Sequence, residues 1–183
     1  NLFVKILSGK VDYYVNDAFS VMHRNQTSVI SFPKSLDSCI GPKVEEELKN
    51  LNKLNLKNSV FILGGKKISD IIFLIKNNKV LTTGTLSLLA LKAKGYKLGK
   101  EEEILKKDVK LISNIKKNLK NIITPIDLAV NFKGKRKEIF LDDLPVDSLI
   151  LDIGKKTIEE YKKEIRNAKC IFFKGAAGMI EDK

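Results

Sequence analysis

Gly64-Gly65-Lys66-Lys67 interrupts an apolar run, and apolar residues return after it at helical spacing. Small residues let amides at a helix start approach an oxyanion, and a lysine adds a mobile positive charge. Such a corner could hold a phosphate, or it could be a turn with two solvated lysines. The spacing matches neither G-x-x-x-x-G-K-[ST] nor G-x-G-x-x-G, so the local residues leave the two readings even. A second group is Asn16-Asp17-Ala18-Phe19 followed by His23-Arg24. Arginine can grip a carboxylate or phosphate in two places; the plain alternative is a solvated arginine and a hydrogen-bonded histidine. The third group is the small-residue loop Gly175-Ala176-Ala177-Gly178 with Glu181 beyond it. That carboxylate could accept hydrogen bonds from ribose hydroxyls, or could simply be exposed.

The elements that must position these groups alternate from the middle of the chain onward. Ser59–Leu63 reads as a short buried strand. Ile68, Ile71, Ile72 and Ile75 recur at helical spacing. Lys79–Thr83 is a second strand, and Leu86, Leu89, Ala90 and Ala93 share a helical face that ends at Gly95 and Gly99. Glu101–Leu119 is amphipathic. Asn121–Phe132 reads as one strand with Pro125 near its start or at an edge, and Ser148–Ile153 as another. Thr157–Ala168 is helical and Lys169–Phe173 is a last strand. The order is that of an α/β fold: a three-layer parallel sheet with helices on both faces, Rossmann-like. Ligands of such sheets sit beyond the carboxyl ends of the strands. Gly64-Gly65, Gly84, Gly154 and Gly175 each follow a strand, which predicts four glycine turns along one sheet edge.

The first fifty residues differ. Val11–Val15 reads as a strand and Ser38–Leu54 as a helix, with Glu45, Glu46 and Glu47 in its first half. Asn50–Asn58 is rich in Asn and Lys, and a domain junction is expected near Leu54–Lys57.

The chain has 183 residues, a net charge of +12 and 43% apolar residues. That suffices for a core and favours anionic partners. The lysines are dispersed and no aromatic interleaving accompanies them, so nucleic acid is a minority reading. No stretch approaches the ~20 apolar residues of a membrane span. Cys39 and Cys170 stand alone, which fits neutral thiols in a reducing cytoplasm. With a single histidine, a zinc site is not expected. The chain lacks an initiator Met, so a piece of something longer, or a processed product, is expected.

Taken in order, four motifs are similar to those of phosphoglycerate kinase, archaeal members included. They are "YYVNDAFSVMHR" (Tyr13–Arg24), "LGGKKISD" (Leu63–Asp70), "LDIGKKTIE" (Leu151–Glu159) and "NAKCIFFKGAAGMIE" (Asn167–Glu181). "KAKGYKLG" and "PIDLAV" also resemble the family. The resemblance implies a bilobal kinase of glycolysis and gluconeogenesis. Such an enzyme transfers a phosphoryl group between 1,3-bisphosphoglycerate and Mg²⁺-bound ADP, giving 3-phosphoglycerate and ATP, with no nucleic-acid or membrane partner and a monomeric, cytoplasmic parent. It implies that residues 1–35 end a phosphoglycerate-binding lobe, 36–56 form an interdomain helix and linker, and 57–183 form part of a nucleotide-binding lobe.

By the same resemblance, Lys67 meets the transferring phosphoryl group, and Arg24 with His23 beside it holds the phosphoglycerate. Glu181 holds the ribose, and Gly64, Gly65, Gly84, Gly154, Gly175 and Gly178 shape the nucleotide pocket. Several positions depart from the family pattern, Lys66 among them, where a small residue is usual. Ile71 stands where a second lysine is common. Thr82-Thr83-Gly84 replaces a run of three glycines, which suggests a tighter adenine slot. Lys174 replaces an asparagine, and Ala176 a proline. Neither the opening part of the first lobe nor the "GGGDS"-type segment with its metal-contacting aspartate is found. The expectation is therefore an internal, inactive piece whose metal ligand lies outside this sequence. The rival reading is a non-catalytic nucleotide- or anion-binding module on the same fold.

Overall fold

The computed structural model describes residues 2–54, 56 and 58–179. The chain divides into two compact units, residues 1–55 and 56–183.

The first unit contains α1 (Leu2–Ser8), β1 (Tyr13–Asn16), α2 (Thr27–Ile30), β2 (Asp37–Ile40) and α3 (Pro42–Asn52). β1 and β2 pair in parallel, Tyr13 opposite Asp37 and Asn16 opposite Ile40. β2 is a correction to the sequence reading, which ran a helix through these residues. The helix begins only at Pro42, a residue suited to a first turn because its missing N–H is not needed there. Phe32 is buried, between the edge of Phe3 and the stacked face of Tyr14. Asp17 accepts a hydrogen bond from the Val44 N–H at 3.0 Å and so caps α3 from the end of a neighbouring strand. A side chain at Gly41 would collide with that carboxylate.

The second unit contains β3 (Ser59–Leu63), β4 (Lys79–Thr82), α4 (Gly84–Ala93), α5 (Glu101–Leu105), α6 (Ile112–Lys117) and β5 (Ile122–Ile123). After these come β6 (Asp127–Phe132), β7 (Lys135–Phe140), β8 (Ile150–Ile153), α7 (Lys155–Arg166) and β9 (Cys170–Lys174). A four-stranded parallel sheet has the order β5-β4-β3-β9. Its strands are apolar on both faces. Phe61, Leu63, Val80 and Ile122 join the core that contains Leu86, Leu89 and Ile115 of α4 and α6. Val60, Ile62, Leu81 and Ile123 join the second core, which contains Ile158, Tyr161 and Ile165 of α7. Alternate residues thus serve opposite faces, as the strand period of two demands. Each fully buried aliphatic side chain contributes about 1.5–3 kcal/mol. The Tyr161 hydroxyl lies 2.9 Å from the carbonyl oxygens of both Thr82 and Ile123, tying α7 to the ends of β4 and β5.

Three sequence expectations change here. Ile68, Ile71 and Ile75 are buried, as their spacing implies, but they ride on two 3₁₀ turns, Ile68–Asp70 and Ile72–Ile75. Adjacent β-branched residues at 71 and 72 disfavour a continuous α-helix. Asn121–Phe132 is two strands, β5 and β6, broken around Thr124-Pro125, and they belong to different sheets. β6 is the centre of an antiparallel sheet, order β7-β6-β8, that the sequence reading did not contain. Gly154 therefore leaves a strand of this second sheet, not of the parallel one.

Gly154 lies against Asp127, the first residue of β6, so closely that a Cβ would meet the carboxylate inside 3.0 Å. Asp127 is 3% exposed. Its carboxylate accepts from the Thr157 N–H at 2.7 Å, the Lys156 N–H at 2.9 Å and the Thr157 hydroxyl at 2.5 Å. The device repeats that of Asp17: an aspartate of one strand caps the helix that follows a glycine of the next. Replacing Asp127 with alanine strands the buried Thr157 N–H and the partly buried Lys156 N–H at a positive helix end. The expected loss is about 3 kcal/mol, from the buried Thr157 hydrogen bond to a charged group at about 1.5–3 kcal/mol and a smaller share from the more exposed Lys156 N–H. Chemical denaturation of wild type and variant measures it; a loss below about 1 kcal/mol would contradict the role.

A candidate nucleotide site at the carboxyl ends of three parallel strands

β4, β3 and β9 are adjacent, and each ends in a glycine turn. The ladder continues past the strands: the Gly64 N–H donates to the Lys174 carbonyl and the Thr83 N–H to the Leu63 carbonyl, both at 2.9 Å. Gly175 has φ +92°, and a Cβ there would meet the Gly64 carbonyl and the Gly65 nitrogen inside 3.0 Å. Only glycine fits this close backbone approach without strain. The segment from Gly175 crosses the start of α4, where Gly84 has φ +50° and faces the Ala176 and Ala177 carbonyls. It ends at Met179, whose N–H donates to the Leu151 carbonyl of β8 at 2.9 Å.

These turns open onto a cavity of about 600 Å³, a volume typical of a small-molecule site. Gly64, Gly65, Gly84, Gly175 and Gly178 line it, together with Lys66 and Lys67. The Lys67 side chain is exposed and makes no hydrogen bond or ion pair with the other described residues. Gly154 does not line the cavity; its close contact is with Asp127. Glu181 falls outside the described residues. His23 and Arg24 belong to the first unit, where both are exposed in the turn after Phe19–Val21.

The departures from the family pattern have local explanations. Ile71 lines the cavity but is 1% exposed and packed among Leu63, Ile68 and Ile75, so its bulk serves the core. Thr82 and Thr83 are buried and turn away: their hydroxyls donate to the Ile123 and Leu63 carbonyls, and neither residue lines the cavity. Lys174 lines it, adding a positive charge on the β9 side.

Four carboxylates line the cavity wall, Asp70, Glu101, Asp108 and Asp152, and the sequence reading made none of them a candidate. Asp152, on β8, is held above the usual carboxylate range by burial, against the opposing pull of the Ile153 N–H and Arg136. Glu101, at the start of α5, is also raised by burial, partly offset by the Ile150 N–H and Lys100. Nothing in Glu101-Glu102-Glu103 marks the first as buried, because its partner lies 49 residues away. A glutamate with a raised folded pKa binds its proton more tightly when folded. Its stabilising share is full below the unfolded pKa near 4.5 and is lost as pH rises through the folded value. Glu101→Gln should therefore gain stability relative to wild type as pH rises from 4 to 8. Thermal melting across that range checks this, and a pH-independent difference would contradict it.

Among the described residues, no three His, Cys, Asp or Glu side chains gather as a metal site. No helix of the described residues is long and apolar enough to cross a membrane.

The family model for phosphoglycerate kinase matches residues 1–183. The chain belongs to the phosphoglycerate kinase family. The phosphoglycerate kinase of Methanothermus fervidus is 41% identical over 98% of this chain, and that of Pyrococcus abyssi 34% over 98%. The chain spans about half the length of these relatives, 48% and 49%. The crystal structure of phosphoglycerate kinase from Pyrococcus horikoshii superposes with a TM-score of 0.85 at 32% identity, covering all of this chain and 50% of that one. The structure of the Coxiella burnetii phosphoglycerate kinase gives 0.79 at 26%, covering 52% of its chain. The family and the mixed α/β fold with a parallel sheet thus agree with the sequence motifs.

Proposed function

We propose that this chain supplies the phosphoryl-facing half of a nucleotide site in a phosphoglycerate kinase. The enzyme would transfer a phosphoryl group reversibly between 1,3-bisphosphoglycerate and ADP, in glycolysis and gluconeogenesis, in the cytoplasm. One observation carries the reading: glycine turns from three adjacent parallel strands line one cavity beside Lys67, whose side chain has no partner among the described residues. The small residues and the lysines there suit phosphate oxygens.

In this reading Lys67 stabilises charge on the transferring phosphoryl group. Gly64, Gly65, Gly84, Gly175 and Gly178 admit the nucleotide's backbone-hugging part, and Glu181 holds its ribose. Gly154 acts one step back, by letting Asp127 set the start of α7. Arg24 and His23 serve the phosphoglycerate from the first unit, which would end one lobe, with α3 leading toward the other. Mg²⁺ would arrive with the nucleotide as part of the substrate. Catalysis would rest on positioning and charge stabilisation, without a covalent enzyme intermediate.

The test is a coupled assay on the protein expressed from its whole open reading frame. ATP formation from 1,3-bisphosphoglycerate and ADP is the expected result. Saturable ADP binding with no turnover would instead identify a non-catalytic binding module.

A further inference from the structure

Glu101 is 5% exposed, yet it lines the cavity. Its Oε1 accepts a hydrogen bond from the Ile150 N–H at 2.9 Å. Its Oε2 has no hydrogen-bond partner among the described residues, and it is not sealed from solvent. A carboxylate is rarely this buried unless something pairs with it. The cavity wall combines apolar residues, Leu88, Ile104 and Met179 among them, with the charged Lys107, Asp108 and Asp152.

The contacts give this group a defined place. Gly175 abuts Gly64, and four residues later the Met179 N–H is bonded to Leu151, next to Ile150. Four residues span at most roughly 14 Å. Both ends line the one cavity, so a nucleoside in it would lie with its phosphate end at the glycine corner and its base at the Ile150 side.

We propose that Glu101 is a specificity-determining residue that accepts a hydrogen bond from the exocyclic amino group of an adenine base. The inference rests on the nucleotide reading of the cavity. With Oε1 already accepting from the Ile150 N–H, Oε2 is the oxygen left without any partner among the described residues. An amino group at the base edge satisfies it. The carbonyl of hypoxanthine at the same position would face it with like partial charge. Guanine carries a carbonyl at that same position and would be repelled in the same way. Burial, which holds the group above its usual pKa, makes an unanswered charge there more costly still.

The experiment is calorimetric titration of ADP and IDP into the protein from its whole open reading frame, as wild type and as Glu101→Gln. Wild type should prefer ADP by about tenfold or more, the scale of one hydrogen bond to a charged group. In the variant the Ile150 N–H keeps the amide oxygen in place, so the amide N–H₂ faces the base. The preference should then fall to about one or reverse toward IDP. An unchanged ADP/IDP ratio would overturn the assignment while leaving the nucleotide site intact. Failure of both nucleotides to bind wild type would overturn the nucleotide reading itself. A third arm needs no mutation: ADP bearing a dimethylated amino group should lose the same factor on wild type, and equal binding would refute the contact.

Discussion

Lys67→Ala, in the protein expressed from its whole open reading frame, should lower the turnover of phosphoryl transfer by about 10²–10³-fold. That is the effect of removing one preorganised donor aimed at developing charge. The Lys67 side chain is exposed, lines the cavity and has no partner among the described residues, so its loss should not unsettle the fold. KM for ADP should change far less than turnover, since the proposed contact strengthens toward the transition state. Lys66→Ala is the control. Lys66 lines the same cavity, but it occupies a position that the family fills with a small residue, and its removal should cost less than about threefold. Steady-state kinetics on both variants decide the point. Wild-type turnover in Lys67→Ala, or an equal loss in Lys66→Ala, would remove Lys67 from the chemistry.

Gly175→Ala should be nearly as damaging, through the backbone rather than through charge. Its φ of +92° lies where side chains are strained, at about 1–3 kcal/mol. The added Cβ would also press on the Gly64 carbonyl and the Gly65 nitrogen. Those atoms belong to backbone that cannot yield cheaply, so overpacking adds about 1–3 kcal/mol. The two glycine turns would be pushed apart, and ADP affinity should fall at least about tenfold. Gly134 separates strain from crowding. It also has a positive φ, +76°, but nothing lies within 4 Å of a Cβ built there. Gly134→Ala should cost about 1 kcal/mol in stability and leave ADP binding unchanged. Equal binding losses in the two variants would show that the glycine corner is not special.

How much of this was readable before folding depends on how local each signal is. β3, β4, α4 and β9 were legible because short apolar runs are bounded by glycines. The phosphate corner was legible only in part. Gly64, Gly65, Gly84 and Gly175 could be placed after strands, but Gly154 could not be told apart from them. Its strand belongs to the second sheet, and its need for glycine comes from Asp127, far away in sequence. The hairpin β6–β7 did leave a local mark. Lys133-Gly134 joins it, with φ of +52° and +76° at the two central residues, as a tight type I′ turn requires. Lysine is an uncommon first residue for that turn, so the mark was weak. Glu101 left no mark at all, because a run of three glutamates at a helix start reads as solvated. Asp17, at the heart of the "VNDAF" motif, holds the start of α3, a structural duty no spacing announces.

The central claim is that the glycine corner of the second unit receives nucleotide phosphates. Mg²⁺–ADP titrated into protein labelled with ¹⁵N at glycine tests it most directly. The amide signals of Gly64, Gly65, Gly84 and Gly175 should shift together and saturably, while Gly134 stays still. Saturable binding that leaves those four signals in place would contradict the account.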